Sequence, residues 1–363
     1  MKLLQITEAY GAGVRNAVNQ LAFGMARRGH DVTLAVAPRA ETSPGWESLI
    51  PREISVRAIP LTRELSLRRD WEGFRYLRKL LREVCPDVIH AHSSKAGFLV
   101  RAVAKAEGLS HRVVYSPHAF AHLGTQSRLR SAVYYGLERT ASALFGGTVA
   151  ACSKDEAIEA KRLATNCVVI NNAVNVQAID VLKQSTLRLS DKRLRVFSVG
   201  RICAAKRPDL FTQVAAELAR RGIDCSFTWI GSGDPFPPSV HARSIGWLDW
   251  ADVVRRLATE CDVYLQTSAF EGLSLAVLEA QALGLPAVVT DVPGNRSAVV
   301  HKITGFVSPS NVNSLADSLQ HLAVRPKLRE EMGLAARARI EDNFTEKRLL
   351  DDFEDLYKKI SAL

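Results

Sequence analysis

Short, nearly continuous apolar runs alternate along this chain with segments whose apolar positions recur every three or four residues. KLLQIT (2–7) reads as a buried strand. EAYGAGVRNAV (8–18) turns on its glycines and opens a helix with apolar positions at Val14, Val18, Leu21 and Met25, which stops at Arg27-Arg28-Gly29-His30. DVTLAVAP (31–38) is the next strand and completes a βαβ unit. Residues 39–60 are irregular apart from a short strand in ISVRAIP, and 62–83 has helical spacing. DVIHAHSSKAG (87–97) and VVYSPHAF (113–120) are strands running into polar turns, and GTVAACS (147–153) and NCVVINNAV (166–174) are further strands. Residues 171–192 are polar and weakly apolar and read as a linker. The cycle then restarts with strand, turn and helix in LRVFSVGRICAAKRPDL (194–210). CSFTWIGSGDP (225–235), HARSIGWL (241–248) and ECDVYLQTSAFEG (260–272) are strands with turns at their carboxyl ends. TGFVSP (304–309) and a helix to about Val324 follow. The tail, 344–363, is an amphipathic helix carrying Leu349, Leu350, Phe353, Leu356, Tyr357 and Ile360. Such alternation predicts an α/β protein with a doubly wound parallel sheet built twice.

The most informative stretch is QTSAFEGLSLAVLEAQALGLPAVVTDVPG (266–294). Between Glu271 and Asp291 the only charged residue is Glu279. Ser274 to Leu283 reads as a short helix buried nearly all round, capped by Ser274 and stopped by Gly284 and Pro286. AVVT (287–290) then reads as a buried strand. The backbone N–H groups of about Leu273 to Leu275 stand at the positive helix start, a ready anion site. A carboxylate, Glu271, sits at its mouth and a second, Glu279, lies two turns in. That set suits a nucleotide sugar, which needs phosphate donors and acceptors for sugar and ribose hydroxyls. The plain alternative is a core helix whose Glu279 meets a buried Arg or Lys.

Other candidates lie at predicted strand ends, where open α/β sheets bind ligands. Arg201 and Lys206 flank the turn after the first strand of the second half, a pair of cations suited to a diphosphate. His92 and His118 are cleft candidates, with Ser94 and Lys95 beside them, whereas His90 reads as a packed residue. These histidines are not expected to bind a metal, since no HExxH and no carboxylate cluster accompanies them. Gly11-Ala12-Gly13 does not complete GxGxxG, because Asn16 falls where the last glycine belongs, and no acidic residue ends the second strand. A dinucleotide-binding dehydrogenase is therefore disfavoured.

Composition narrows the partners. The 363 residues suit two domains, and no apolar run reaches the ~18 residues that span a bilayer. The N-terminus reads as a first strand and not a signal peptide. The six cysteines show no CxxC and fit a reducing, cytoplasmic setting. Net charge is +10, and residues 1–180 hold most of it, with 24 Lys and Arg against 16 Asp and Glu. Helix 62–83 is dense in arginine, with Trp71, Phe74, Leu77, Leu80 and Leu81 as its apolar stripe. It reads either as a solvated helix or as a basic amphipathic surface touching anionic membrane from the cytoplasmic side. No nucleic-acid motif accompanies the charge, so nucleic acid is not expected as a partner.

Taken in order, the glycine turn at Gly11–Gly13, HSSKAG (92–97), SPH (116–118), VGR with Lys206, and the E-x7-E of Glu271 and Glu279 make the chain resemble the retaining glycosyltransferases of family 4, of GT-B fold. The likeness covers nearly the whole chain, and HSSKAG is similar to members that build bacterial surface polysaccharides. It implies two Rossmann-like domains facing across a cleft: 1–175 for the acceptor, 176–343 for the nucleotide sugar, and helix 344–363 crossing back to the first. It implies that Arg201 and Lys206 bind the diphosphate and that Glu271 binds donor-sugar hydroxyls. N–H groups at Leu273, Ser274 and Leu275 would meet phosphate oxygens, and Glu279 would accept from the ribose. His118 would contact the sugar or stabilise the transition state, and Gly13 would let backbone approach the phosphates. No metal and no cofactor are implied. Two departures stand out: Gly11-Ala12-Gly13 where the family often has Gly-Gly, and Pro293-Gly294-Asn295-Arg296-Ser297 without the family's frequent acidic residue.

The function expected is transfer of a sugar from a nucleotide-diphosphate sugar, UDP favoured over GDP or ADP, with retention. The acceptor is a saccharide or a lipid-linked acceptor in polysaccharide or glycolipid assembly. No residue stands out as an enzymic nucleophile, so same-face substitution is expected. The rivals are a nucleotide-sugar epimerase or phosphorylase on the same architecture, and a non-catalytic polyanion-binding module.

Overall fold

A computed structural model describes the chain apart from residues 40, 41, 43, 44, 63–65, 125, 126, 164, 165, 185, 187–192 and 363. Contacts divide it into two compact units, Met1–Asn172 with Lys347–Leu363, and Ala173–Glu346. Among the described residues the first unit holds seven strands: β1 (Lys2–Tyr10), β2 (Asp31–Pro38), β3 (Ser55–Ala58), β4 (Val88–His92), β5 (Val113–Ser116), β6 (Thr148–Ala151) and β7 (Asn166–Val169). They pair in parallel in the order β3-β2-β1-β4-β5-β6-β7. The second unit holds β8 (Leu194–Val199), β9 (Cys225–Ile230), β10 (Ala242–Ser244), β11 (Val263–Gln266), β12 (Ala287–Thr290) and β13 (Gly305–Ser308). Its order is β10-β9-β8-β11-β12-β13, again parallel. Strands covered on both faces must be apolar throughout, which is why VTLAVA and AVVT are unbroken.

Strand order reverses between β1 and β4 in the first unit and between β8 and β11 in the second. Loops leaving the carboxyl ends of these pairs diverge to opposite faces and leave a crevice. The glycine turn (β1) and HSS (β4) border one crevice. The Arg201–Lys206 loop (β8) and the Glu271 loop (β11) border the other.

The last helix, Glu346–Ser361, buries Leu349, Leu350, Phe353, Leu356, Tyr357 and Ile360. From Lys347 onward it belongs to the first unit. Leu350 fills the space over Gly24 of helix Ala12–Arg27, where an added Cβ would lie 2.3 Å from the leucine Cδ2. Arg28 pairs with Asp351 at 2.6 Å and Glu354 at 2.7 Å beside that contact.

Four expectations need correction. The supposed linker contains a helix, Val176–Gln184, because Val176 and Ile179 share one face and are buried. Residues 185 and 187–192 of that stretch lie outside the described residues. The basic helix is described over Leu67–Val84, and Arg63 and Glu64 of the expected span lie outside the described residues. Trp71 leaves the apolar stripe: it is 61 % exposed and stacks on Phe74 at 5.5 Å, while Leu77, Leu80 and Leu81 carry the packing. In HARSIGWL only Ala242–Ser244 pairs, as a short edge strand.

Beneath the second sheet's amino edge, Arg195 and Asp262 form a buried two-point ion pair, both contacts at 3.0 Å. Arg195→Met would strand the Asp262 charge and is expected to cost about 3–5 kcal/mol. Urea unfolding of variant and parent checks this; an unchanged midpoint would contradict it.

Candidate active site

The second unit's crevice is built around Glu271. Ser274 caps helix Leu275–Ala282, its hydroxyl accepting from Val277 N, and Gly284 with φ +79 ends the helix, as the residues predict. Leu273 and Ser274 are buried just before it. Glu271 is held from three sides on a single oxygen. Oε1 accepts from Lys206 Nζ at 2.5 Å, Gln266 Nε2 at 2.6 Å and Ser268 Oγ at 2.5 Å. Its backbone N–H donates to Pro293 O. Gly294 packs so closely there that a Cβ would come within 2.4 Å of Glu271 O, and its φ of +81 favours glycine.

Lys206 reaches this carboxylate because its loop is strapped to β11. Thr267 Oγ1 donates to Lys206 O and Arg207 O, and Ala269 N donates to Ala205 O. Arg201 directly follows Gly200 at the end of β8 and is partly buried. The two predicted cations and Glu271 thus come from loops bordering one crevice, although 65 residues separate Lys206 from Glu271.

Among the described residues, Glu279 meets neither an arginine nor a lysine. Its Oε1 accepts from Trp250 Nε1 at 2.8 Å, so the ion-pair expectation for a core helix does not hold. Burial pushes its carboxyl up to about 7, and the indole N–H only partly offsets this. Trp250, Gln266 and Ser268 had escaped notice. The one signal was a polar glutamine closing the buried strand VYLQ.

In the first unit, His92 and His118 come together. His92 Nδ1 and His118 Nε2 are 3.0 Å apart and the rings stack at 5.3 Å. Burial pushes His118 down to about 4 and His92 well below the usual range, so both are neutral near pH 7. They line a small cavity of about 20 Å³ with Ser116, Cys152, Asn172, Leu349 and Phe353. His118 and Ala119 adopt φ of +53 and +84, an unusual turn for side-chain-bearing residues. Glu156 holds it: its carboxylate accepts from Ala119 N at 2.6 Å and Cys152 N at 2.7 Å.

His90 is a packed residue. Its Nε2–H donates to Ser116 Oγ, whose own proton goes to Ala150 O, and its Nδ1 accepts from Tyr357 OH. Ser94 Oγ accepts from Ala121 N and donates to Tyr115 OH, whose own proton goes to Glu138 Oε1. Lys95, 8 % exposed at its side chain, pairs with Asp70 at 2.6 Å. Glu8, not singled out from sequence, seats its carboxylate at the start of helix Ser94–Ala106, accepting from Ser93 Oγ and Ala96 N. Gly13 faces open space, with nothing within 4 Å of an added Cβ. Among the described residues no His, Cys, Asp or Glu cluster could hold a metal ion, and no helix is long and apolar enough to cross a membrane.

Two family models together match most of the chain: Glycosyltransferase Family 4 over residues 11–178 and Glycosyl transferases group 1 over 182–339. The chain belongs to the family 4 glycosyltransferases. It is therefore a metal-independent, retaining glycosyltransferase that uses a nucleotide sugar, with the GT-B fold. It is 29 % identical over 84 % of both chains to the Escherichia coli UDP-Gal:alpha-D-GlcNAc-diphosphoundecaprenol alpha-1,3-galactosyltransferase. Its fold matches sucrose-phosphate synthase from Thermosynechococcus elongatus, TM-score 0.80 at 16 % identity, over all of both chains. It also matches Anabaena HepE in complex with UDP-glucose, TM-score 0.76 at 17 % identity, over 99 % of this chain and 100 % of that one.

The raised Glu279 carboxyl makes a pH prediction. The folded enzyme holds this proton more tightly than the unfolded chain. The resulting stability is complete below pH 4.5 and is lost as pH rises through about 7. Glu279→Gln should remove that loss, on the order of 2–3 kcal/mol. Urea midpoints from pH 4.5 to 8 test it; parallel pH curves for the two proteins would contradict it.

Proposed function

We propose that this glycosyltransferase takes a UDP-hexose and passes the sugar, with retention, to a lipid-linked saccharide during surface-polysaccharide assembly. The observation that carries the donor assignment is the Lys206–Glu271 pair at the mouth of helix Leu275–Ala282. It juxtaposes a part-exposed cation, a helix start and a hydrogen-bonded carboxylate, which are the parts a nucleotide sugar engages. The names of the relatives support the finer choices. The Escherichia coli relative uses UDP-Gal and a diphosphoundecaprenol acceptor, and the Anabaena neighbour binds UDP and UDP-glucose.

Under this reading Ala173–Glu346 binds the donor and Met1–Asn172 the acceptor. Lys206 and Arg201 take the diphosphate together with N–H groups from Leu273 to Leu275. As the sugar–phosphate bond breaks, negative charge builds on the leaving UDP where these groups are already oriented. Glu271 accepts from sugar hydroxyls and Glu279 from the ribose. The acceptor hydroxyl attacks from the face the diphosphate leaves, and a leaving phosphate oxygen takes its proton. Neutral His118, backed by His92, hydrogen-bonds the sugar as it gains positive charge. Gly13 leaves room for backbone to approach the donor. Ser94 and Lys95 shape the acceptor side by fixing the start of their helix. The basic face of helix Leu67–Val84 rests on the cytoplasmic surface of an anionic membrane, where a lipid-linked acceptor would be met.

Lys206→Ala should raise the barrier by about 2–4 kcal/mol in a mass-spectrometric transfer assay; near-parental turnover would remove its role. In a thermal-shift comparison of UDP, GDP and ADP, UDP should stabilise most. The gain is about 2.7 kcal/mol at a hundred times its dissociation constant. A larger shift with GDP or ADP would overturn the choice of base.

A further inference from the structure

The carboxylate of Glu271 sits at the end of a buried chain of hydrogen bonds that the donor-binding assignments leave unused. It starts at the last residue of β8. Val199 N donates to Tyr264 OH at 3.1 Å, and the hydroxyl shares its own proton between Gln266 Oε1 at 3.1 Å and Val199 O at 3.2 Å. Burial raises the Tyr264 phenol, so this hydroxyl keeps its proton and can donate it. With its oxygen turned to the tyrosine, the Gln266 amide has its Nε2 hydrogens left for two acceptors. One goes to Ser268 Oγ at 2.9 Å and the other to Glu271 Oε1 at 2.6 Å. Ser268 passes its own proton to the same oxygen. Gln266 is 1 % exposed and Tyr264 fully buried, so neither side chain can touch a ligand in the crevice.

The carboxylate end sets the direction of this chain, and the tyrosine hydroxyl is compatible with it. A carboxylate placed against Lys206 can only accept. The amide has one orientation that satisfies it, with nitrogen toward Glu271. Each link polarises the next. Lys206 is different. Its side chain is 26 % exposed and flexible, and an arriving diphosphate competes for it. When Lys206 turns to the diphosphate, Glu271 loses one of its three donors. Gln266 and Ser268 remain as donors that keep the carboxylate hydrogen-bonded.

We propose that Gln266, oriented by Tyr264, is a positioning residue for donor-sugar recognition. It holds Glu271 in place while Lys206 transfers to the diphosphate. The proposal rests on the reading of Glu271 as the sugar-binding carboxylate.

The test is a mutant cycle on the full-length protein. The probes are UDP alone and whichever of UDP-galactose and UDP-glucose it consumes faster. Calorimetry gives the ratio of the two affinities, which needs no turnover, and UDP release gives kcat and KM. Gln266→Leu keeps the buried volume and removes the amide. It should lower the UDP-sugar to UDP affinity ratio, and kcat, about tenfold or more. The affinity for UDP alone and the melting temperature should stay near parental. Tyr264→Phe should cause a smaller loss of the same kind. In a Glu271→Gln background both substitutions should have no further effect, since they act through that carboxylate. Equal losses in both backgrounds, or a parental ratio in Gln266→Leu, would overturn the inference while leaving the reading of Glu271 intact. A parental ratio and turnover in Glu271→Gln itself would overturn that reading, and the inference with it.

Discussion

One carboxylate oxygen, Oε1 of Glu271, ties the loops after β8 and β11 together. A carboxylate this enclosed is costly unless its lone pairs are filled. Here an ammonium, an amide and a hydroxyl fill one oxygen. The rest of the crevice depends on that satisfaction. Lys206 is held against the Glu271 carboxylate, Gly294 closes in behind the Glu271 carbonyl, and Thr267 straps the Lys206 loop down. Parallel sheets place this convergence where strand order reverses, because only there do neighbouring loops part.

The first unit solves a related problem with a different device. His118 is carried on a turn with two consecutive positive φ values, strained for residues with side chains. The turn persists because Glu156 takes the Ala119 and Cys152 N–H groups that it would otherwise leave buried. Burial then keeps His92 and His118 neutral, able to hydrogen-bond without adding charge. Both crevices thus use a glutamate with little exposure to fix backbone or side chains that face the open end. The same economy of buried acceptors recurs at Glu8 and at Glu138, which takes Arg101 and Tyr115.

Much of this was legible in the chain itself. Unbroken apolar runs such as VTLAVA announce strands covered on both faces. The lone charges in 271–291 announce a helix with something to bind. Arg201, Lys206, Glu271 and Glu279 stand out because cations at strand ends and carboxylates in apolar helices need partners. What stayed hidden is what depends on contacts distant in sequence. Trp250 carries no mark that it will meet Glu279, and Tyr264 looks like any strand aromatic. Gln266 was visible as a polar residue in a buried strand, but its role needs the register of β11 against β8. Helix Val176–Gln184 was missed because two buried residues are too few to show a period. Trp71 has the right spacing for a stripe that ends one turn short of it.

The central claim is that a nucleotide diphosphate binds where Lys206, Glu271 and the start of helix Leu275–Ala282 meet. A crystal structure of the protein with UDP tests it most directly. The account predicts diphosphate oxygens within hydrogen-bonding distance of Lys206 Nζ and of the backbone N–H groups before Ala276, with Lys206 turned from Glu271. Ordered UDP bound elsewhere, leaving the Lys206–Glu271 contact untouched, would contradict it.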